Sequence, residues 1–203
     1  MPLAIAKQIH RAFVQRPRTE RLARALADLV GPAGSILDVG CGSGEVAARV
    51  AAITGARRVE GVDILVQPSA HVSVTAYDGT TLPYPGGAYD VVVLSDVLHH
   101  AESPARLLAE ALRVASRAVV VKDHFAFGAA SRRLLLAMDL AANGFYGIAV
   151  RGTYLDPAAW RALFHGAGAR VDALSWPLVV HPAPLRLLAP SRLQFAARLE
   201  RAA

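Results

Sequence analysis

The first chemically informative feature is a run of closely spaced glycines behind an acidic residue. Asp38 lies two residues before the run, which reads Gly40-Cys41-Gly42-Ser43-Gly44. Glycines let the backbone approach a ligand closely, and the N-terminus of a following helix favours polar or anionic groups. Dinucleotide-binding proteins usually space these glycines as GxGxxG, whereas this chain has GxGxG. The spacing disfavours a dehydrogenase, and the glycines predict a loop whose backbone a ligand can approach closely.

Polar residues also follow the next predicted strands. Asp63 ends the second strand, where a carboxylate can accept two hydrogen bonds from ribose hydroxyls, as in dinucleotide-binding proteins. Asp78 and Gly79 follow the third strand, and Ser95 ends the fourth. Because parallel strands end at the same edge of a sheet, we expect these residues to line one ligand site.

Four ionisable side chains come next along the same edge. His99 and His100 follow the fourth strand, and Asp123 and His124 follow the fifth. The unperturbed pKa of histidine suits proton transfer near neutral pH, and a carboxylate can orient its ring. We take all four as candidates for a catalytic base, with local capping or packing as the alternative for each.

The elements that must position these residues alternate between short apolar strands and helices. This order is typical of an α/β fold with a mainly parallel sheet. Residues 89–95, YDVVVLS, are apolar enough for a central strand that is buried on both faces. We expect one reversed strand near the sheet edge, supplied by residues 194–199. The strands are predicted at 35–39, 58–63, 72–77, 89–95, 117–122, 170–175 and 194–199.

This ordered set of motifs, over roughly residues 20–125, resembles the class I S-adenosylmethionine-dependent methyltransferases. It is most similar to their small-molecule branch, the methyltransferase type 11 or quinone-biosynthesis-like proteins. The resemblance implies S-adenosyl-L-methionine as the cofactor and a Rossmann-like, doubly wound sheet of seven strands. It also implies that Asp38 positions the methionine end of the cofactor and that Asp78 reads the adenine amino group. The implied cofactor-binding residues are Asp38, Gly40, Cys41, Gly42, Gly44, Asp63, Ile64, Asp78, Gly79 and Ser95.

The chain departs from this family between the second and third strands. Family members commonly have a helix there, but residues 64–71 are few and include Pro68. We therefore expect a loop on this side of the adenine pocket, with Ile64 as a possible packing contact.

Two segments are expected to cover the acceptor, namely residues 1–20 and 125–155. The second segment follows the fifth strand, where this family often inserts a substrate lid. Its side chains suit an apolar or aromatic small-molecule acceptor, although simple packing on the domain is an equal alternative. The predicted pocket residues are Phe125, Met138, Phe145, Tyr146 and Tyr154.

A metal cofactor is not expected. Asp96, Asp123 and His124 could form a site like the strand-end acids of catechol-type methyltransferases. The asparagine usual in that type is not beside Asp123, so the sequence favours methyl transfer without a metal.

The composition predicts one cytoplasmic domain over residues 1–203. The chain is 54% hydrophobic and 19% charged, as in globular proteins. It has no apolar run of the roughly 18 residues that span a bilayer, and its N-terminus lacks a signal-peptide core. Cys41 is the single cysteine, so an intramolecular disulfide is excluded.

The net charge of +6 raises the question of an anionic partner. Arginines cluster between residues 11 and 24, but no aromatic residues alternate with them as nucleic-acid stacking would require. We prefer a solvated helix face and expect no nucleic-acid partner, while peripheral contact with a membrane stays open. RNA methylation, and cofactor binding without methyl transfer, are the alternative functions.

Overall fold

The structure, a computed structural model, describes residues 13, 15–68, 70–143, 150–183 and 185–202. None of the helices in this part of the chain has the length and apolarity that a membrane crossing needs. In chain order the elements are α1 (Arg16–Val30), β1 (Ser35–Val39), α2 (Glu45–Thr54), β2 (Arg58–Asp63), β3 (Ser73–Ala76), β4 (Tyr89–Ser95), α3 (Pro104–Val114), β5 (Ala115–His124), α4 (Ala129–Asn143), α5 (Pro157–Gly166), β6 (Ala169–Ser175) and β7 (Gln194–Arg201).

The strands form one sheet in the order β3-β2-β1-β4-β5-β7-β6. The first five strands run parallel, and β7 runs antiparallel to both of its neighbours. This confirms the predicted seven-stranded sheet with one reversed strand near its edge. The strand order reverses between β1 and β4, and open α/β sheets bind ligands beyond the carboxyl ends of the strands at such a point. We call the carboxyl ends of β1, β2, β4 and β5 the ligand edge.

Helices cover both faces of the sheet because its central strands are apolar on both faces. Val92 and Leu94 pack on the side of α3 and α5, whereas Val91 and Val93 pack on the side of α1 and α2. Successive side chains of a strand point to opposite faces, so an unbroken apolar run needs a layer on each side. The two layers make β4 rigid and fix where its carboxyl end lies.

The apolar pattern of residues 125–143 predicts a helix over the whole segment, but the helix in the structure is shorter. Phe125 donates its backbone N–H to Leu193 at 3.0 Å, and Ala126 donates to Leu155 at 2.9 Å. These bonds keep both residues beside the sheet, and α4 begins only at Ala129. The apolar pattern was right, but contacts far along the chain determine where the helix starts.

The connection between β2 and β3 agrees with the sequence prediction. Residues 64–68 and 70–72 form no helix. The third strand covers Ser73–Ala76, one residue shorter at each end than predicted.

Candidate functional site

The glycine-rich loop, residues 40–44, connects β1 to α2 at the ligand edge. Gly40 donates its N–H to the backbone of β2 at 2.8 Å, and Gly42 donates to Oδ2 of Asp63 at 2.7 Å. Oδ1 of Asp63 accepts the N–H of Leu65 at 3.0 Å. Asp63 therefore fixes the loop, a role that the sequence did not reveal because it depends on the pairing of β1 with β2.

The glycines of this loop serve different purposes. A Cβ on Gly40 would collide with Val97, and one on Gly44 would collide with the β2–β3 connection. Gly42 has φ +56°, and among the described residues its Cβ would meet only the end of Gln67, 3.8 Å away. Gly42 thus presents backbone to open space, as close approach of a ligand requires.

Two ionisable groups belong to the loop and to the strand before it. Asp38 is 4% exposed, and burial together with the charge of Asp63 raises its pKa to about 7. A cation bound nearby would favour its charged form. Cys41 packs its sulfur against Gly61, and burial, with the charges of Asp38 and Asp63, raises the pKa of the thiol to about 12. Cys41 is therefore a packing residue and a poor nucleophile.

The residues predicted to contact adenine lie together on the other side of the loop. Ile64 is 57% exposed, and its Cγ2 is 3.4 Å from the position of a Cβ on Gly79. Oδ1 of Asp78 accepts the N–H groups of Thr80 and Thr81, both at 2.7 Å, and these bonds lower the pKa of Asp78. Asp78 thus shapes the turn that holds Gly79 against Ile64.

A network of charges surrounds Asp96 at the end of β4. Its carboxylate accepts hydrogen bonds from the fully buried Lys122 at 2.5 Å and from Arg18 at 3.0 Å. Burial raises the pKa of Asp96, but these cations outweigh it and hold the pKa well below its usual range. Asp96 also has φ +59°, which non-glycine residues adopt rarely. Ser95, a predicted cofactor residue, pairs with Lys122 in the sheet.

Three of the candidate bases meet beside this network. Nδ1 of His99 lies 2.7 Å from Oδ1 of Asp123, and Nδ1 of His124 lies 3.4 Å from the same oxygen. Burial lowers the pKa of His99, but the charge of Asp123 and neighbouring carboxylates raise it to about 10. Burial and the charge of Lys122 lower the pKa of His124. Two histidines in ring contact therefore differ in their affinity for a proton.

Asp139 of α4 closes the other side of this cluster. Its Oδ2 lies 3.6 Å from Nε2 of His99, and its Oδ1 lies 3.4 Å from Nε2 of His100. The hydroxyl of Tyr154 donates to Oδ2 at 2.7 Å. All four candidate bases thus come together, and Asp139 joins them as a second carboxylate beside Asp123.

The structure places the predicted pocket residues in different environments. Tyr154 is 5% exposed and contacts the cluster, and Met138 is half-buried on α4. Phe125 instead belongs to the core, where its ring stacks on Phe195 with centroids 4.1 Å apart. Phe145 and Tyr146 lie outside the described residues, as do residues 1–12 and 14 of the first covering segment.

Sequence reasoning missed Arg18, Lys122 and Asp139. Lys122 follows the apolar run of β5, and Asp139 interrupts the apolar residues 134–142. Since a buried charge needs a partner, an isolated charge in an apolar run is a usable signal for both. Arg18 carried no such signal, because it is one of several arginines in the same helix.

Comparisons with known protein sequences identify a methyltransferase family. A model of the methyltransferase domain family matches residues 9–174. The ribosomal protein L11 methyltransferase of Methylobacillus flagellatus is 40% identical over 110 residues, which cover 50% of this chain and 35% of that protein. The match therefore spans about a third of the length of this curated relative.

Solved structures share the fold. A chain of the complex that contains the Haloferax volcanii Trm112 methyltransferase activator aligns with a TM-score of 0.68 at 14% identity, covering 92% of this chain and 90% of that chain. Magnesium protoporphyrin IX methyltransferase from Synechocystis, with bound SAH, aligns with a TM-score of 0.59 at 16% identity, covering 92% and 84%. At these identities the likeness establishes the fold.

Proposed function

The chain belongs to the class I S-adenosylmethionine-dependent methyltransferases, and we propose that its acceptor is a small apolar or aromatic molecule. The family defines the cofactor, whereas the acceptor is our inference. S-adenosylmethionine supplies a methyl group on a positively charged sulfur, which is a good leaving group. The protein must therefore bind the cofactor, align the acceptor with it and remove a proton where the acceptor carries one.

The residues at the ligand edge fit this cofactor. Gly42 offers open backbone for close approach, and Asp63 holds that backbone in place. Asp38 supplies a buried carboxylate whose raised pKa fits a site for a cationic ligand. Ile64 and Gly79 offer an exposed apolar surface on which a flat base can pack.

The observation that carries the acceptor proposal is the enclosure of the polar cluster. His99 and Asp123 are each 1% exposed, and Tyr154 is 5% exposed. The cluster also adjoins the cofactor loop, because Val97, two residues before His99, lies against Gly40. A site enclosed in this way suits a small molecule better than a side chain on the surface of a macromolecule.

The enclosure also suits the chemistry. The low exposure of the cluster limits its contact with water, and its polar groups can hold one polar atom of the acceptor in line with the methyl group. His99, His100, Asp123 and His124 stay our candidates for accepting a proton from a hydroxyl or an acidic carbon. His124, whose pKa is lowered, suits this role better than His99, which already carries a proton at neutral pH because its pKa is raised to about 10. An acceptor that has no proton to lose needs only to be aligned by the same groups.

The likeness to a ribosomal protein methyltransferase makes protein the main rival acceptor. RNA is a weaker rival, because the arginines near the N-terminus lack interleaved aromatic residues. A cofactor-binding protein without methyl transfer is the third alternative.

The experiment follows the methyl group. The purified protein is incubated with S-adenosylmethionine carrying a radioactive methyl group and with a cell extract, which is then separated into solvent-soluble small molecules, protein and RNA. Label in the small-molecule fraction supports the proposal, and label in protein or in nuclease-sensitive RNA contradicts it. Calorimetry with S-adenosylhomocysteine, and with NAD as the control, tests cofactor binding separately. Binding without label in any fraction favours the third alternative.

A further inference from the structure

We propose that His99, His100 and Asp139 form a binding site for a divalent cation of the zinc type. One potential ligand atom of each residue lies within 4.8 Å of the other two. Two imidazoles and one carboxylate are a ligand set of catalytic zinc sites, in which a fourth position stays open. The three residues come from the β4–α3 connection and from α4, so the site exists only in the folded protein.

The separations between these atoms fit a shared cation better than direct hydrogen bonds. Oδ2 of Asp139 is 3.6 Å from Nε2 of His99, and Oδ1 is 3.4 Å from Nε2 of His100. Direct N–H···O bonds span about 2.7 to 3.2 Å. Two ligands at about 2.0 to 2.1 Å from a tetrahedral zinc ion are separated by about 3.4 Å. Both observed distances lie near that value and involve the two different oxygens of Asp139, so the carboxylate would present both oxygens to the cation.

Neighbouring groups already hold the proposed ligands in position. Nδ1 of His99 lies 2.7 Å from Oδ1 of Asp123, a hydrogen-bond distance that is too short for two ligands of one zinc ion. Metal-bound histidines usually donate their other ring N–H to a carboxylate, which leaves Nε2 for the metal. The hydroxyl of Tyr154 similarly orients Asp139. Asp123 and Tyr154 are therefore positioning residues for the site.

Charge at the site is compatible with a bound cation. The side chains of Asp123 and Asp139 are 1% and 10% exposed, and both face His99. In the free protein a protonated His99, whose pKa is raised to about 10, pairs with these carboxylates. A divalent cation would take over that pairing and leave both histidines neutral, as metal ligation requires.

The alternative set of Asp96, Asp123 and His124 is less suitable. Asp96 already forms ion pairs with Lys122 and Arg18, two cations that a metal ion would have to displace. A cation placed there would also face the buried ammonium of Lys122. The catechol-type arrangement considered from the sequence is therefore disfavoured.

A zinc ion with an open position would bind an oxygen of the acceptor and make a bound hydroxyl more acidic. This catalytic role rests on the proposed function, but cation binding does not. The catalytic role of the zinc ion would also restrict the acceptor to molecules that carry a hydroxyl or enol oxygen.

The test measures zinc binding by the full chain without an affinity tag, after treatment with a chelator and dialysis against zinc chloride. We expect one zinc ion per chain by elemental analysis, and visible absorption typical of a four-coordinate site after replacement by Co²⁺. His100→Gln and Asp139→Asn should lower zinc affinity by at least about 100-fold, and Asp123→Asn by about 10- to 100-fold. His165→Gln, at an exposed histidine of α5, is the matched control and should bind normally.

The outcomes separate the two proposals. The site is refuted if the parent protein binds no stoichiometric zinc, or if folded His100→Gln and Asp139→Asn variants bind it as tightly as the parent. Circular dichroism identifies folded variants. Zinc binding without methyl transfer refutes the proposed function and leaves the site intact. Full methyl transfer by protein shown to be free of zinc refutes the catalytic role of the cation.

Discussion

The carboxylate of Asp63 accepts the backbone N–H of Gly42 at 2.7 Å, so the end of β2 holds the middle of the glycine-rich loop. Gly42 has φ +56°, a conformation that this hydrogen bond helps to maintain. The residue predicted to bind ribose therefore also prepares the loop that passes beneath it. Loop and carboxylate form one preorganised unit, and a change in either should be measurable as lost cofactor affinity.

Gly42→Ala should weaken S-adenosylmethionine binding by at least about tenfold, because the added methyl group enters the open space above the loop. The left-handed φ adds a backbone cost of about 1 to 2 kcal/mol. Gly55→Ala is the matched control, since Gly55 has φ +74° but no described atom within 4 Å of a Cβ. Calorimetry and urea unfolding of both variants separate the effects. Equal cofactor affinity in the two variants would contradict a ligand site at Gly42.

Binding of S-adenosylmethionine should release a proton near pH 7. The folded pKa of Asp38, about 7, is above its ordinary value of 3.8, so part of the free protein carries a protonated Asp38 at neutral pH. The positive charges of the cofactor favour the carboxylate and expel that proton. Calorimetry in phosphate and in Tris at pH 7 should give different binding heats, because the buffers absorb the proton with different enthalpies.

Asp38→Asn provides the control for this measurement and should remove the difference between buffers. Asp38 also makes the free energy of unfolding depend on pH, in a direction that its raised pKa determines. Because the pKa of Asp38 is raised in the folded protein, its stabilising contribution to the free energy of unfolding is fully present below about pH 4 and is lost as the pH rises through about 7. Asp38→Asn should therefore flatten the decline in unfolding free energy over this range. Identical binding heats in both buffers for the parent protein would show that Asp38 is already ionised.

The sequence predicted those parts of the fold and site that local pattern encodes. Strand alternation predicted the sheet, and the glycine spacing predicted a loop between β1 and α2, which the structure has. The contact between Asp139 and His99 could not be predicted in this way, because it arises only when the fold brings α4 beside the β4–α3 connection. The structure places Phe125 in the core and not in the predicted pocket for a related reason. An aromatic residue after a strand suits either place, and only its tertiary contact with Phe195 decides between them.

Asp96→Asn should lower the free energy of unfolding by about 2 to 4 kcal/mol, because it leaves the ammonium of Lys122 buried without its carboxylate. Asparagine tolerates the φ of +59° at this position, so the substitution isolates the charge. Urea unfolding measures the change. Arg18→Gln should cost less than about 1 kcal/mol, since its side chain is 33% exposed.

A double variant tests the cause of that loss. Lys122→Met combined with Asp96→Asn removes both charges and should recover most of the stability lost by Asp96→Asn alone. A double variant no more stable than Asp96→Asn would show that the carboxylate supports the backbone rather than the lysine.

Tyr154→Phe should lower kcat/KM for methyl transfer by about tenfold, because the hydroxyl that orients Asp139 is lost. Cofactor affinity should change less than about twofold, since Tyr154 contacts the histidine cluster and Asp139. Tyr89→Phe is the matched control: Tyr89 is also buried, and its hydroxyl accepts a hydrogen bond from Arg58 at the opposite edge of the sheet. Steady-state kinetics with the identified acceptor, together with calorimetry for the cofactor, distinguish the roles. If Tyr154→Phe loses cofactor affinity or unfolds while its acceptor kinetics match those of Tyr89→Phe, residues 150–155 are part of the core and do not control the acceptor.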